Sequence, residues 1–154
     1  MRTFGHVGYY RPGDWFRSRL ELSQAGLHRP TRAGISGTAA EGADSIVLSG
    51  AYEDDVFSDE EVVYTGHGGR DPKTGKQAAD QVMTERNRAL LRSLETGLPV
   101  RLLRKVPHPT DAEGTDVFRY EGLYTVVKTA TDTGKSGFQV LKFWLRPLPG
   151  DQQL

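Results

Sequence analysis

Three runs in the last third of the chain are written in β-branched and aromatic residues: 100–106 (VRLLRKV), 118–129 (FRYEGLYTVVKT) and 137–146 (GFQVLKFWLR). Such residues suit a pleated, half-buried surface, so each run is expected to be a strand. The stretch T-D-T-G-K-S-G at 131–137 is a turn signal, and the last two runs are expected to form a hairpin. Upstream, 45–49 and 61–65 read as short buried strands. The alternation of Phe16, Leu20 and Leu22 predicts a half-buried strand over 15–23. Only one helix is clear, over about 77–96. Its apolar stripe is Val82, Met83, Leu90, Leu91 and Leu94, and Gly97 with Pro99 stops it. Many strands, one good helix and no alternating strand–helix rhythm predict a mainly β (α+β) fold. The expected form is a closed or nearly closed barrel with the helix packed outside.

With 154 residues, one domain with a single core is expected. No apolar run approaches the ~18 residues of a membrane span. The opening MRTFGHVGYYRPGDW lacks the apolar core of a secretory signal. Cysteine is absent, which excludes disulfides, thiolate metal sites and cysteine nucleophiles and fits a reducing, cytoplasmic setting. Net charge is zero, but its distribution is uneven. Residues 1–40 carry six bases and two acids, and residues 41–66 carry eight acids and no base. Residues 67–110 carry nine bases against four acids. Two basic blocks of this kind can build a phosphate-facing surface, while the acids face away or line a pocket. Ordinary surface scatter would give the same count.

The segment from Ser45 to Asp71 carries the chemistry. Two apolar strands flank an acidic loop, with Tyr52 and Tyr64 at its inner edges and Asp55 and Thr65 close by. Two aromatic faces and a few hydrogen-bonding groups are what is needed to hold one planar base out of its stack. An ionised Asp suits the N4 donor of cytosine and is repelled by the O4 of thymine. On their own, tyrosines in a β-rich chain serve packing as readily as base stacking, and Asp54 with Asp55 reads as a solvated turn.

Six ordered blocks resemble the SRA (YDG) family. They are H-R-P-x-x-A-G-I-x-G at His28–Gly37, Y-E-D-D at Tyr52–Asp55, and Y-T-G-x-G-G-R-D at Tyr64–Asp71. N-R-A-L follows at Asn87–Leu90, then R-Y-E-G-L-Y-x-V-V-K at Arg119–Lys128, and G-K-S-G-F-x-V at Gly134–Val140. The name-giving Y-D-G stands here as Tyr120-Glu121-Gly122. The resemblance implies a PUA-like β-barrel over residues 1–147 that binds duplex DNA and flips a 5-methylcytosine, or a 5-hydroxymethylcytosine, into a pocket. It implies that Tyr52 and Tyr64 sandwich the base and that Asp55 accepts from N4. Ser49, Gly50, Ala51 and Thr65 would complete the Watson–Crick edge. His67 would stand where better-known members have a small residue near the base methyl.

In those members two loops enter the DNA. Arg32 falls at the first, and Gly75-Lys76-Gln77 at the second, with Gln77 where an Arg is expected. Arg32, Arg70, Lys73, Lys76 and Gln77 are therefore the expected DNA-contacting residues, with looser demands on flanking sequence. No catalytic constellation, cofactor motif or metal site is expected, because His6, His28, His67 and His108 are scattered. Bacterial members commonly precede an HNH nuclease on the same polypeptide. The ending P-L-P-G-D-Q-Q-L, from residue 148, reads as the start of a linker to one. The rival readings are an enzyme acting on the flipped base, such as a glycosylase, and an RNA-binding PUA-type module.

Overall fold

The structure, a computed structural model, describes residues 2–150 and Gln153. In chain order the elements are β1 (Trp15–Phe16), α1 (Arg19–Ala25), β2 (Ile35–Thr38), β3 (Gly42–Leu48), β4 (Val56–Phe57) and β5 (Val62–Thr65). They continue with α2 (Glu85–Thr96), β6 (Val100–Val106), β7 (Val117–Thr133) and β8 (Gln139–Pro147). The strands join in the order β2-β3-β6-β7-β8-β5-β4, and β1 pairs with β7. All pairings are antiparallel except β3 with β6. The long strands β6, β7 and β8 and the β7–β8 hairpin fall where the sequence placed them.

The barrel does not close. β2 and β4 end the strand path, and no pairing joins them among the described residues. The gap is spanned by a side chain: the Tyr64 hydroxyl on β5 donates toward the carbonyls of Gly34 (3.2 Å) and Val47 (3.3 Å). A β-sheet with a strongly bulged path can stop short of closure where a cavity must remain open. Bulges interrupt β2–β3, β6–β7 and β7–β8.

Two further expectations need correction. Residues 15–23 are not one strand, because Ser18 caps a helix: its hydroxyl accepts from Glu21 N–H (3.1 Å), and Glu21 Oε2 accepts from Arg17 N–H (3.1 Å). This S-x-x-E capping pattern outweighs the alternation. Leu22 is therefore buried while Leu20 lies outside. The main helix begins at Glu85, not near 77. Residues 77–81 spend their polar groups on other elements instead: Ala78 N–H goes to Gly69 O, Gln81 N–H to Gln139 O, and Asp80 Oδ1 takes Gln139 N–H. Thr84 then caps α2, and Gly97 ends it in the left-handed conformation (φ 71°).

Two apolar clusters follow from this arrangement. One, including Ile46, Leu90, Leu102, Tyr124 and Phe143, fills the space between the sheet and α2. The other, including Phe16, Leu22, Leu27, Leu103 and Tyr120, lies under α1. Beside it Arg101 is buried at 1% exposure. Its guanidinium donates to the carbonyls of Leu27 (2.9 Å), Thr3 (2.6 Å) and Gly5 (2.8 Å) and pairs with buried Asp44 (3.4 Å). Burial lowers its pKa, and Asp44 pulls it back up. The pair ties the N-terminal segment to the sheet. Removing one partner of a buried ion pair leaves a charge unpaired. Asp44→Ala is thus expected to cost about 3–5 kcal/mol of stability, read by urea unfolding.

Candidate nucleic-acid interface

The gap between the sheet ends holds a cavity of about 420 Å³. Its walls come from the β2 side (Ala33, Gly34, Ile35), the end of β3 (Val47, Ser49), the acidic loop (Ala51, Tyr52, Asp55) and β5 with its following loop (Tyr64, Thr65, His67, Arg70). Arg19 and Arg32 complete it. The sequence-predicted pocket residues converge here, with the exception of Gly50. That glycine (φ 77°) lines an adjoining cleft with Ser49, Asp55, Phe57, Arg104 and Lys105.

The two tyrosines are fixed in different ways. Tyr64 is 4% exposed, part of the core as well as of the cavity wall. Burial, with Asp55 and Tyr52 nearby, holds its hydroxyl well above the usual pKa, so it remains a donor. Tyr52 is half-buried, its hydroxyl accepts from Gly68 N–H (3.0 Å), and the Arg70 guanidinium lies over its ring (5.5 Å to the centroid). Asp71 takes Lys73 N–H (2.8 Å) rather than Arg70.

Asp55 faces the cavity with one oxygen held: Oδ1 accepts from Thr65 N–H (2.7 Å). Burial raises its pKa to about 6, against the pull of that hydrogen bond. Its neighbour does different work. Asp54 is buried at 5% exposure and accepts from Lys135 N–H (2.9 Å), anchoring the β7–β8 hairpin rather than sitting in a solvated turn.

The loop that carries Arg32 is held from below. Arg19 donates to the carbonyls of Pro30 (2.8 Å), Arg32 (3.3 Å) and Ala33 (2.5 Å). His28 is fully buried, with Nε2 on Ala33 O (2.8 Å) and Nδ1 on Ser45 Oγ (2.7 Å). Nε2 must donate to that carbonyl, which leaves Nδ1 to accept. Desolvation lowers the His28 pKa to about 4, so the ring is neutral at pH 7. His67 is exposed at the mouth, and burial with Arg86 lowers its pKa as well.

The second loop is a small hairpin. Arg70 and Gln77 form a bridge, Asp71 N–H donates to Lys76 O (2.9 Å), and Lys73 and Lys76 stand exposed beyond it. Gln77 corrects an expectation. It is 4% exposed and donates inward to the carbonyls of Gly68 (2.8 Å) and Ala79 (3.1 Å), so it is no free fingertip group. A deep cavity with two aromatic walls, one acceptor and a basic rim can take a planar base that carries an amino group.

A family model described as the SAD/SRA domain matches residues 3–151. The chain belongs to the SAD/SRA family. It is 39% identical over 164 residues to the E3 ubiquitin-protein ligase UHRF1 of Bos taurus, covering 93% of this chain and 21% of that protein. Among solved structures it resembles a modification-dependent TagI restriction endonuclease (42% identity, TM-score 0.85, 96% of this chain and 53% of that one). It also resembles the SUVH5 SRA domain bound to fully hydroxymethylated CG DNA (35% identity, TM-score 0.82, 99% and 98%). SUVH5 SRA has also been solved with fully methylated CG, hemimethylated CG and methylated CHH DNA. The chain thus spans about a fifth of the UHRF1 relatives and about half of TagI.

Within this SRA domain the Tyr120-Glu121-Gly122 block lies outside the cavity lining. Glu121 pairs with Arg104 (3.5 Å) and Arg119 (3.2 Å), and Tyr120 meets His6 Nδ1 (2.7 Å). Residues that sequence reasoning missed are those that hold the walls: Arg19, Gln81, and Asn87 of the N-R-A-L block. Among the described residues no group of three or more His, Asp or Glu side chains could hold a metal, and no helix is long and apolar enough to cross a membrane.

The raised pKa of Asp55 has two consequences of opposite sign. Between its ordinary 3.8 and about 6 the folded state holds the extra proton, so this group's contribution to stability falls as pH rises through that window. If Asp55 accepts from a base amino group, ionisation favours that contact and removes an O–H that could donate to thymine O4, so discrimination should rise over the same range. Titrations of a methylcytosine duplex and its thymine counterpart at pH 5.5 and 7.5 should show discrimination growing with pH. Asp55→Asn should flatten the difference.

Proposed function

We propose that this SRA domain reads modified cytosine in duplex DNA, taking the flipped base into the cavity between Tyr52 and Tyr64. The observation that carries the reading is the joint placement of both rings and the Asp55 carboxylate on one cavity of suitable size. Stacking on two aromatic faces offsets part of the unstacking cost, at about 1–3 kcal/mol per base. Asp55 accepts from N4 and repels thymine O4, worth about 1–3 kcal/mol of discrimination. Ser49, Ala51 and Thr65 serve the remaining Watson–Crick edge, and His67 stands at the mouth. A buried methyl adds only about 0.8 kcal/mol, so the preference over unmodified cytosine needs shape exclusion as well. Arg32, Arg70, Lys73 and Lys76 meet phosphates around the mouth, and Arg32 suits the negative potential of a narrow minor groove.

The likeness to TagI supports a wider reading: the domain is the recognition part of a modification-dependent restriction enzyme, with cleavage assigned to a nuclease domain elsewhere in that protein. On this reading the chain itself leaves the base unchanged and acts in the cytoplasm on the nucleoid. Unchanged base composition of a methylated duplex after incubation separates a reader from a glycosylase.

Binding to matched duplexes carrying C, 5-methylcytosine or 5-hydroxymethylcytosine tests the central reading. The modified duplexes should bind more tightly than the unmodified one. Tyr52→Ala should remove about 1–3 kcal/mol of that binding with circular dichroism unchanged. Tyr64→Ala, at a core position, should lower stability as well and is to be compared with the parent only where circular dichroism shows it folded. Parental affinity in both variants would place the base elsewhere.

Flanking sequence is the second test. The 70–77 hairpin offers lysines and no bidentate fork at its tip. Affinities for methylated CG and methylated CA should therefore agree within about tenfold, and a fully methylated site should be tolerated. Fluorescence anisotropy on four duplexes (hemimethylated CG, fully methylated CG, methylated CA, unmodified) reads this directly. A hemimethylated preference well beyond tenfold would mean that another group senses the opposite strand.

A further inference from the structure

Three buried amide side chains converge on the loop that follows β5. Gln77 Nε2 donates to Gly68 O (2.8 Å). Gln81 Nε2 donates to Gly66 O (2.5 Å) and Gly68 O (3.0 Å), while its Oε1 accepts from Leu141 N–H (2.9 Å) on β8. Asn87, fully buried in the first turn of α2, accepts from His67 N–H (2.7 Å) and donates to His67 O (3.0 Å) and Val82 O (2.9 Å). The fit is close. A Cβ on Gly66 would lie 2.9 Å from Asn87 Oδ1, and one on Gly69 would lie 2.4 Å from Gln77 Nε2.

Gly68 is where this bracing reaches the cavity. Its carbonyl takes two of the amides, and its N–H donates to the Tyr52 hydroxyl (3.0 Å). The two aromatic walls are therefore unequal. Tyr64 is locked in the core, whereas Tyr52 is half-buried in a loop and is tied through its hydroxyl to Gly68.

We propose that Gln77, Gln81 and Asn87 are positioning residues for base recognition: they fix Gly68, and through its N–H they set the Tyr52 ring for stacking. The inference rests on the reading of Tyr52 as one face of the base site. A ring ordered before binding loses less freedom when the base arrives, so the amides act on affinity without touching DNA.

A double-mutant cycle tests this. Gln77→Met keeps the side-chain length and removes both donors. Tyr52→Phe keeps the ring and removes the acceptor for Gly68 N–H. Each should weaken binding of a 5-methylcytosine duplex about three- to tenfold, the range of one hydrogen bond, and weaken binding of the unmodified duplex by a smaller factor. The double variant should lose no more than the larger single loss, because both act through one link. The emission of 2-aminopurine beside the methylated cytosine should fall in parallel, reporting less flipped base. Additive losses, or equal losses on both duplexes, would mean that Gln77 is a structural brace only and would overturn the inference. Should Gln77→Met fail to fold, Tyr52→Phe decides alone: parental affinity for the methylated duplex overturns the proposal. A parent protein that does not distinguish methylated from unmodified duplex would instead overturn the reading of the function on which this one stands.

Discussion

One phenol bridges the two sides of the open sheet. The strand path stops at β2 on one side and β4 on the other, and the Tyr64 hydroxyl reaches from β5 to two carbonyls across the gap. A fully hydrogen-bonded closure would have filled that space with backbone. Closure through a side chain leaves a cavity whose floor is core and whose mouth is open. The same ring is then a packing element and a wall of the cavity, so the core and the cavity share one residue.

Around this gap, buried polar groups fix loops rather than react. His28 stays neutral and holds the turn before β2, Arg19 gathers three carbonyls of the same turn, and Arg101 with Asp44 gathers the N-terminal segment. Each has several partners within its own chain, although the Arg19 Nε is buried without one. Asp55 differs. It has one strong donor on Oδ1 and a pKa displaced upward by burial, so its ionised form is under-supported in the free protein. A group held in that condition at a cavity wall is suited to a ligand that brings a donor with it.

Much of this was legible in the sequence. The strands β6, β7 and β8 were visible because their residues are strand formers and their turns carry Gly and Asp. Tyr52, Tyr64, Asp55 and Thr65 were legible because a motif fixes their order, and the cavity brings them together. The start of α2 was not, since residues 77–84 have helical composition but spend their amides on other loops, which only tertiary structure reveals. The helix after Ser18 carried its capping signal openly, yet the alternation of Phe16, Leu20 and Leu22 masked it. Gln77 was misplaced for a related reason: alignment gives a position in a loop, while exposure depends on which way the side chain turns.

The hairpin from Arg70 to Gln77 is rooted at its base and untied at its tip. Arg70 bridges Gln77, and Gln77 turns inward, but Lys73 and Lys76 project beyond any wall of the cavity. The tip can therefore be altered in length or composition without touching the groups that wall the cavity. On the proposed reading, that separates the part that takes the base from the part that meets its neighbours. A designer could graft new tips between Asp71 and Lys76 and ask whether flanking-sequence preference shifts while base preference holds.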